Sequence, residues 1–140
     1  MRVIVFMKAN AESEAGVMPS ETLMNAMMKF HDELLKAGVL LDATGLYPSS
    51  KGVRVRFADG KTTVTDGPFA ETKELVGGFW VWQVKSIDEA VAWVKRMPTD
   101  PDAEETEIDI RPIYEAEDFS PEMGEYEKQL QAEISKRRKG

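Results

Sequence analysis

Hydrophobic positions recur along this chain in a pattern that predicts strands and helices in a definite order. The opening residues, MRVIVFMK, are rich in Val and Ile, which favours a buried strand. The segment from Ser20 to about Ala37 repeats apolar residues at helical spacing, and Gly38 supplies a common helix-ending signal. Further strands are predicted at 39–46, 79–84 and 106–114, a second helix at 86–97, and a loop at 9–19.

A hairpin interrupts this order between the second and third strands. The stretch VRVRF alternates with period two, ADG turns the chain, and KTTVT returns. The run DGPFAETKE, residues 66–74, follows directly, and Gly77 and Gly78 are expected to close it. Without this inserted segment, at about 47–76, the order is strand, helix, strand, strand, helix, strand. That order predicts a ferredoxin-like βαββαβ sandwich of the α+β class.

The last part of the chain has a different composition. After Tyr114, the pair Ser120 and Pro121 is typical of a helix start, with acidic residues early and basic residues late. A narrow apolar stripe predicts a helix that packs along one seam, against its own domain or another subunit. The stripe consists of Met123, Tyr126, Leu130 and Ile134. We therefore divide the chain into a domain at 1–114 and a C-terminal helical extension at 115–140.

Two predicted elements carry more apolar surface than one packing partner covers. The strand at 79–84 has bulky side chains on both faces, and the first helix has two adjacent apolar rows. These rows are Leu23, Met27, Phe30 and Leu34, and beside them Met24, Met28, His31 and Leu35. A large apolar face usually marks association, so we expect a homodimer with its two sheets face to face. The alternative is a monomer in which the hairpin and the C-terminal helix cover these surfaces.

The composition narrows the classes of function. A length of 140 residues suits one domain with one core. The formal net charge of −7 argues against a nucleic-acid surface, and the basic cluster at 136–139 suits the end of a helix. No apolar run approaches the ~20 residues of a membrane span, and no signal-peptide cleavage pattern follows the first strand. With no cysteine for disulfides or thiolate chemistry, a cytoplasmic protein without membrane or nucleic-acid partners is expected.

His31 is the only histidine of the sequence, which excludes a multi-histidine metal site. It lies in the second row of the first helix, among methionines. One interpretation is a half-buried histidine that satisfies a backbone or carboxylate partner. The other is a general base or acid in a pocket walled by methionines, because imidazole titrates near neutral pH.

The run at 66–74 also allows two interpretations. In the first, Asp66 to Pro68 form a tight turn and Phe69 fills the core, while the polar residues stay solvated. In the second, the loop carries the chemistry. The carboxylates that would move protons or clamp a substrate are Asp66, Glu71 and Glu74, and the groups that would hold an anion are Thr72 and Lys73. The oxygens follow no metal-binding loop pattern, so no metal is expected.

Three further charged positions are candidates for contacts with a ligand. Arg54 and Arg56 share one face of the hairpin and either receive a carboxylate or phosphate or face solvent. Asp100, followed by Pro101, lies in the loop before the last strand and approaches the end of the sheet. The sequence contains no phosphate loop, dinucleotide fingerprint or Ser-His-Asp arrangement, so no cofactor is expected.

The motif DGPFAETKE, together with LVGGFWVWQVKSIDEAVAWVKRMP and IDIRPI, strongly resembles the DGPF branch of the YCII-related family. The resemblance extends to MRVIVFMK and FHDELLKAGVLLDATGL, and so covers nearly everything up to Tyr114. It implies a dimeric α+β barrel with ferredoxin-like protomers. Some members are encoded beside or fused to sigma factors, which implies a role in a regulated response. Other YCII-related proteins use a histidine and aspartate pair, and one branch eliminates chloride from a chlorinated aromatic diol.

The chain departs from the family at that pair. The family's catalytic histidine lies about eleven residues before the glycine that ends the first helix. Counting back from Gly38 gives Met27, and His31 lies one helical turn later. The family's Asp-Pro corresponds to Asp100 and Pro101, but its histidine partner is missing. The chloride elimination is therefore not carried over.

Three hypotheses on function follow. The first is a small-molecule enzyme with proton-transfer or elimination chemistry, and the second is a ligand-binding or accessory module of a sigma-factor system. The third is a structural dimer that the motif locks. The candidate catalytic residues are His31, Asp66, Glu71 and Asp100, and the candidate ligand-binding residues are Pro68, Phe69, Thr72, Lys73, Glu74 and Arg54.

Overall fold

The computed structural model describes residues 1–103 and 105–139, in which six strands and four α-helices make up a mixed α+β protein. The strands are β1 (Arg2–Lys8), β2 (Leu40–Gly45), β3 (Val53–Ala58), β4 (Lys61–Asp66), β5 (Val76–Gln83) and β6 (Ile108–Pro112). The helices are α1 (Ala11–Glu14), α2 (Glu21–Lys36), α3 (Ile87–Lys95) and α4 (Pro121–Lys139). Glu104, in the loop predicted before the last strand, and Gly140, at the end of the predicted extension, lie outside the described residues.

The main sheet is antiparallel throughout and has the strand order β2, β5, β1, β6. On β1 and β5, Val3 lies opposite Trp82 and Val5 opposite Trp80, so these four side chains share one face of the sheet. The strands β3 and β4 form a separate two-stranded hairpin. The expected α+β class is confirmed, and the inserted hairpin is present.

The core lies on the face of the sheet that carries Trp80 and Trp82. Phe30 of α2 sits at its centre, with its ring edge-on to those two indoles at centroid distances of 6.3 and 6.4 Å. Edge-to-face packing of this kind suits the charge distribution of aromatic rings. The other buried members are Val3, Val5, Leu34, Val39, Val84, Ala90 and Met97. A single cluster thus joins the sheet to α2 and α3.

Two apolar surfaces stay outside this core, as the sequence pattern predicts. On α2, Met24, Met28 and Leu35 of the second row are 45%, 63% and 58% exposed. On the opposite face of the sheet, Phe79 and Val81 are only half-buried, and they lie opposite other apolar residues, Phe6 and Ile4 of β1. Both surfaces are therefore available to a partner.

Two local predictions were wrong. The segment predicted as a loop at 9–19 contains α1, which begins because Asn10 and Ser13 cap each other: the Asn10 side chain accepts from the Ser13 N–H, and the Ser13 hydroxyl accepts from the Asn10 N–H. Gly77 and Gly78 lie within β5 instead of closing the loop. A Cβ on Gly78 would stand 2.9 Å from the Thr44 carbonyl oxygen, so the glycine allows β2 to approach closely.

The helix α4 is anchored at its first turn. Gly124 is buried against the turn Ala116–Asp118, where an added Cβ would stand 2.6 Å from the Ala116 carbonyl oxygen. The same turn is tied to the sheet by Glu115, whose two carboxylate oxygens accept from the Arg2 guanidinium at 3.0 and 3.2 Å. Within residues 1–103 and 105–139, no helix has both the length and the apolar character needed to cross a membrane.

Candidate functional site

The loop at 66–74 is fastened to the turn Ser49–Lys51, which precedes the hairpin. The Gly67 N–H donates to the Gly52 carbonyl at 3.0 Å, and the Phe69 N–H donates to the Ser49 hydroxyl at 3.0 Å. Gly67 comes so close that a Cβ there would stand 1.8 Å from the Ser49 carbonyl oxygen. Its next peptide bond, to Pro68, is cis. The glycine of the motif is therefore needed for contact between two backbones.

Glu14 holds the other side of this turn. The Asn10–Ser13 cap fixes α1, and the Glu14 carboxylate at its end accepts from the Ser49 N–H at 2.8 Å and from the Ser49 hydroxyl. The hydroxyl in turn accepts from the Phe69 N–H. A chain of hydrogen bonds thus joins α1, the turn and the DGPFAETKE loop through one serine, with a charged acceptor at its end.

A pocket opens beside this chain of bonds. Its volume is about 310 Å³, in the lower part of the range usual for small-molecule sites. Apolar side chains form most of its wall, and Glu14, Ser49 and Lys51 supply the polar side chains. The apolar wall consists of Leu46, Tyr47, Pro48, Phe69, Leu75 and Val76.

Positive charge lies next to the aromatic wall. The Arg54 guanidinium stacks over the Phe69 ring with its central carbon 4.0 Å from the ring centroid, which is cation–π geometry. Lys51 lines the pocket itself. Neither cation takes part in any of the salt bridges formed by residues 1–103 and 105–139. Both charges are therefore free for an anionic partner.

The structure places the predicted loop residues in different surroundings. Phe69 is half-buried, lines the pocket and stacks with Arg54, while Pro68 beside it is exposed. Asp66 ends β4 with its side chain exposed, opposite Val53. In and next to the turn Thr72–Glu74, Thr72 is half-buried, and Glu71, Lys73 and Glu74 are exposed. None of the five polar residues of the loop lines the pocket; these are Asp66, Glu71, Thr72, Lys73 and Glu74.

His31 lies elsewhere, on the core side of the main sheet. Its Nε2 atom accepts a hydrogen bond of 2.9 Å from the Trp80 indole N–H, and the two rings meet edge-on. An accepting Nε2 is unprotonated, so any ring proton sits on Nδ1. In the described part of the chain no salt bridge joins His31 to a carboxylate. The structure thus does not bring His31 together with the loop at 66–74.

Asp100 holds its own turn. Its carboxylate accepts from the Asp102 N–H at 2.9 Å, and its carbonyl accepts from the Ala103 N–H at 3.2 Å. These are the bonds of an aspartate that shapes a local turn. No three His, Cys, Asp or Glu side chains in residues 1–103 and 105–139 are grouped so that they could hold a metal ion.

Sequence reasoning missed the polar residues that do line the pocket, Glu14, Ser49 and Lys51. Glu14 falls in a segment predicted as a loop, and it is 35 positions from Ser49 along the chain. A local signal for α1 existed in the Asn10 and Ser13 spacing, which suits a helix start. No local signal pairs a helix end with a turn so distant in the sequence.

The protein is thus of the α+β class and has a pocket between Glu14 of α1, the segment before the hairpin and the loop after it. Its sequence from residue 1 to 117 matches the YCII-related domain, so the chain belongs to the YCII-related family. It is also 35% identical over 75 residues to an uncharacterized protein of Rhizobium meliloti (strain 1021). That match covers 54% of this chain and 60% of the length of the relative.

Proposed function

We propose that the protein binds a small molecule in the pocket beside the DGPFAETKE loop. The observation that carries this proposal is the convergence of Phe69, Glu14 and Ser49 on one cavity. Concave, mostly apolar sites with a few placed polar groups are typical of small-molecule binding. Phe69 of the motif forms part of the pocket wall, and the N–H groups of Gly67 and Phe69 bond the loop to the turn before the hairpin. A ligand-sensing or accessory role in a regulated response would be compatible with such binding.

The charges next to the pocket favour an anionic ligand with an apolar or aromatic body. Lys51 and Arg54 are the cations, and neither is used in a salt bridge of the described residues. The Glu14 carboxylate, in contrast, already accepts two hydrogen bonds from Ser49. A carboxylate or phosphate at the rim therefore meets free positive charge, while the apolar wall takes the rest of the molecule.

NMR titration with benzoate tests this binding, with benzyl alcohol as the neutral control. We expect benzoate to shift the backbone amide signals of Ser49, Phe69 and Val76, and benzyl alcohol to bind more weakly. Lys51→Met should lower benzoate affinity several-fold and leave benzyl alcohol unchanged. Lys61→Met, at the start of β4 and away from the pocket lining, is the matched control and should change neither. No shift with millimolar benzoate, or shifts scattered over the surface, would overturn the proposal.

Acid–base turnover is the second candidate function, and the Glu14–Ser49 pair favours it. A carboxylate bonded to a hydroxyl inside the pocket can accept a proton from a bound molecule and return it. An enolizable keto acid such as phenylpyruvate should then exchange the benzylic hydrogens next to its keto group in D₂O faster with the protein than without it. Glu14→Gln should remove this acceleration. His31, Asp66, Glu71 and Asp100 do not line the pocket, and their roles as proton carriers stay predictions.

We also propose the ferredoxin-like, face-to-face homodimer. The strand order of the main sheet and the positions of α2 and α3 between strands support the ferredoxin-like frame. The half-buried residues Ile4, Phe6, Phe79 and Val81 support dimerisation through the sheet face opposite the core. A second sheet laid on them would remove this apolar surface from water. Assignment to the DGPF branch rests on the motif at 66–74.

A further inference from the structure

The helix α4 carries an apolar stripe that its own domain leaves uncovered. The side chains of Met123, Tyr126, Leu130 and Ile134 are 53%, 56%, 38% and 38% exposed. They repeat at intervals of three and four residues and so lie on one side of the helix. The first turn holds α4 to the domain through Gly124, but the stripe itself stays exposed. A narrow stripe of this kind is the pattern of a helix that packs against one other helix.

The distribution of charge along α4 indicates which partner suits it and in which direction the partner helix would run. In the first half of the helix Glu122, Glu125 and Glu127 outnumber Lys128, so that half is net acidic. In the last half Lys136, Arg137 and Arg138 outnumber Glu133, which pairs with Arg137 of the same helix at 3.9 Å, so that half is net basic. Two such helices side by side in the same direction would place like charges together. When the two helices run in opposite directions, the acidic half of each lies along the basic half of the other. Such complementary charges favour one orientation of a helix pair over the other.

The position at which α4 starts also suits a second copy. Its anchoring turn is bound by Arg2, which alternation along β1 places on the same sheet face as Ile4 and Phe6. That face is the one opposite the core. The 19-residue helix that starts there is about 28 Å long, at 1.5 Å per residue.

We propose that α4 pairs in antiparallel fashion with α4 of a second copy of this chain. Leu130 lies near the middle of the contact and meets Leu130 of the second copy. Tyr126 then faces Ile134 of the second copy, and Met123 faces the aliphatic part of Arg137. The stripe is buried between the helices, and the opposite charges of the two halves lie along its borders.

Single cysteines test this arrangement, because the natural sequence contains none. Leu130→Cys in the full chain should form an intermolecular disulfide under mild oxidation. Ala132→Cys, on the opposite side of the same helix, is the matched control and should stay monomeric on a non-reducing gel. If Leu130→Cys does not cross-link, or cross-links no faster than Ala132→Cys, the pairing is wrong.

The direction of the helices is tested by mixing two variants. Met123→Cys and Arg137→Cys should cross-link to each other, and each should cross-link poorly to itself, because an antiparallel pair separates identical ends. A parallel pair would instead join Met123→Cys to itself. Efficient Met123→Cys homodimers, or no product from the mixture, would therefore overturn the antiparallel arrangement.

The contact is independent of the sheet-face dimer and is tested separately from it. Leu130→Glu should weaken self-association roughly tenfold or more, because burial of a leucine is lost and a charge enters the seam. Adding salt should also weaken it, since the paired charges are exposed. The Leu130→Cys cross-link should persist in the Val81→Asp background, where the sheet face is disrupted. Loss of the cross-link there would show that α4 does not pair on its own.

Discussion

At the scale of single residues, the position of the DGPFAETKE loop depends on Gly67, which has no side chain. Gly67 has no room for a Cβ, because that atom would stand 1.8 Å from the Ser49 carbonyl oxygen. The loop reaches the pocket only because the two backbones touch. One added methyl group would have to push the loop away from the turn that holds it.

Gly67→Ala should therefore lower the free energy of unfolding by about 1–3 kcal/mol, as expected of overpacking at a close contact. Chemical denaturation measures the change. Gly45→Ala is the matched control, because its Cβ meets nothing within 4 Å, and it should be neutral or slightly stabilising. Equal effects of the two substitutions would contradict the close contact.

At the scale of elements, the four-residue α1 acts as a clamp. The Glu14 carboxylate accepts two hydrogen bonds from Ser49, and the Ser49 hydroxyl accepts one from the Phe69 N–H. A helix this short contributes little stability of its own. Its role is to place one carboxylate where the hairpin and the loop meet.

A double-mutant cycle with Glu14→Ala and Ser49→Ala should show a coupling of about 1–2 kcal/mol in unfolding free energy, since hydrogen bonds to a charged group are involved. Glu12→Ala, in the same helix, is the control and should not couple to Ser49→Ala. The Phe69 amide should also exchange faster with solvent in Glu14→Ala. Additive effects of the two substitutions would mean that the clamp does not act as a unit.

At the scale of the whole molecule, apolar side chains are exposed on several elements. The sheet face with Phe79 and Val81 is proposed to meet a second sheet. The hairpin of β3 and β4 is a second such surface, since a two-stranded hairpin alone is only marginally stable in water. On the hairpin, Val55 lies opposite Val64, and both are exposed, at 49% and 63%. The protein therefore presents apolar surface on several elements at once.

Val81→Asp should weaken self-association tenfold or more, because it places a charge in the centre of the proposed sheet interface. Sedimentation equilibrium in the Leu130→Glu background isolates this contact from α4. Val91→Asp, the same change on the outer side of α3, should leave the association constant unchanged. A Val81→Asp protein that associates as tightly as the Val91→Asp protein would rule out the face-to-face dimer.

The physical signals for strands and helices are local, and these elements were predictable for that reason. Alternation in VRVRF and the helical rows of α2 each act over a few residues, and each is confirmed. The helix α1 was missed because a four-residue helix has too few positions to show a period. The prediction that Gly77 and Gly78 close the loop is wrong because glycine signals turns as well as close strand contacts.

The α+β class, the order of the main elements and the two-sided apolar surface could be predicted from the amino-acid pattern, because periodicity and capping are properties of neighbouring residues. The site could not be predicted in this way, because it depends on tertiary packing. That packing joined Glu14 to Ser49 and Ser49 to Phe69, and it turned His31 towards Trp80 instead of the loop at 66–74. Such contacts depend on how distant segments pack, and no pattern along the chain records which carboxylate will reach which hydroxyl.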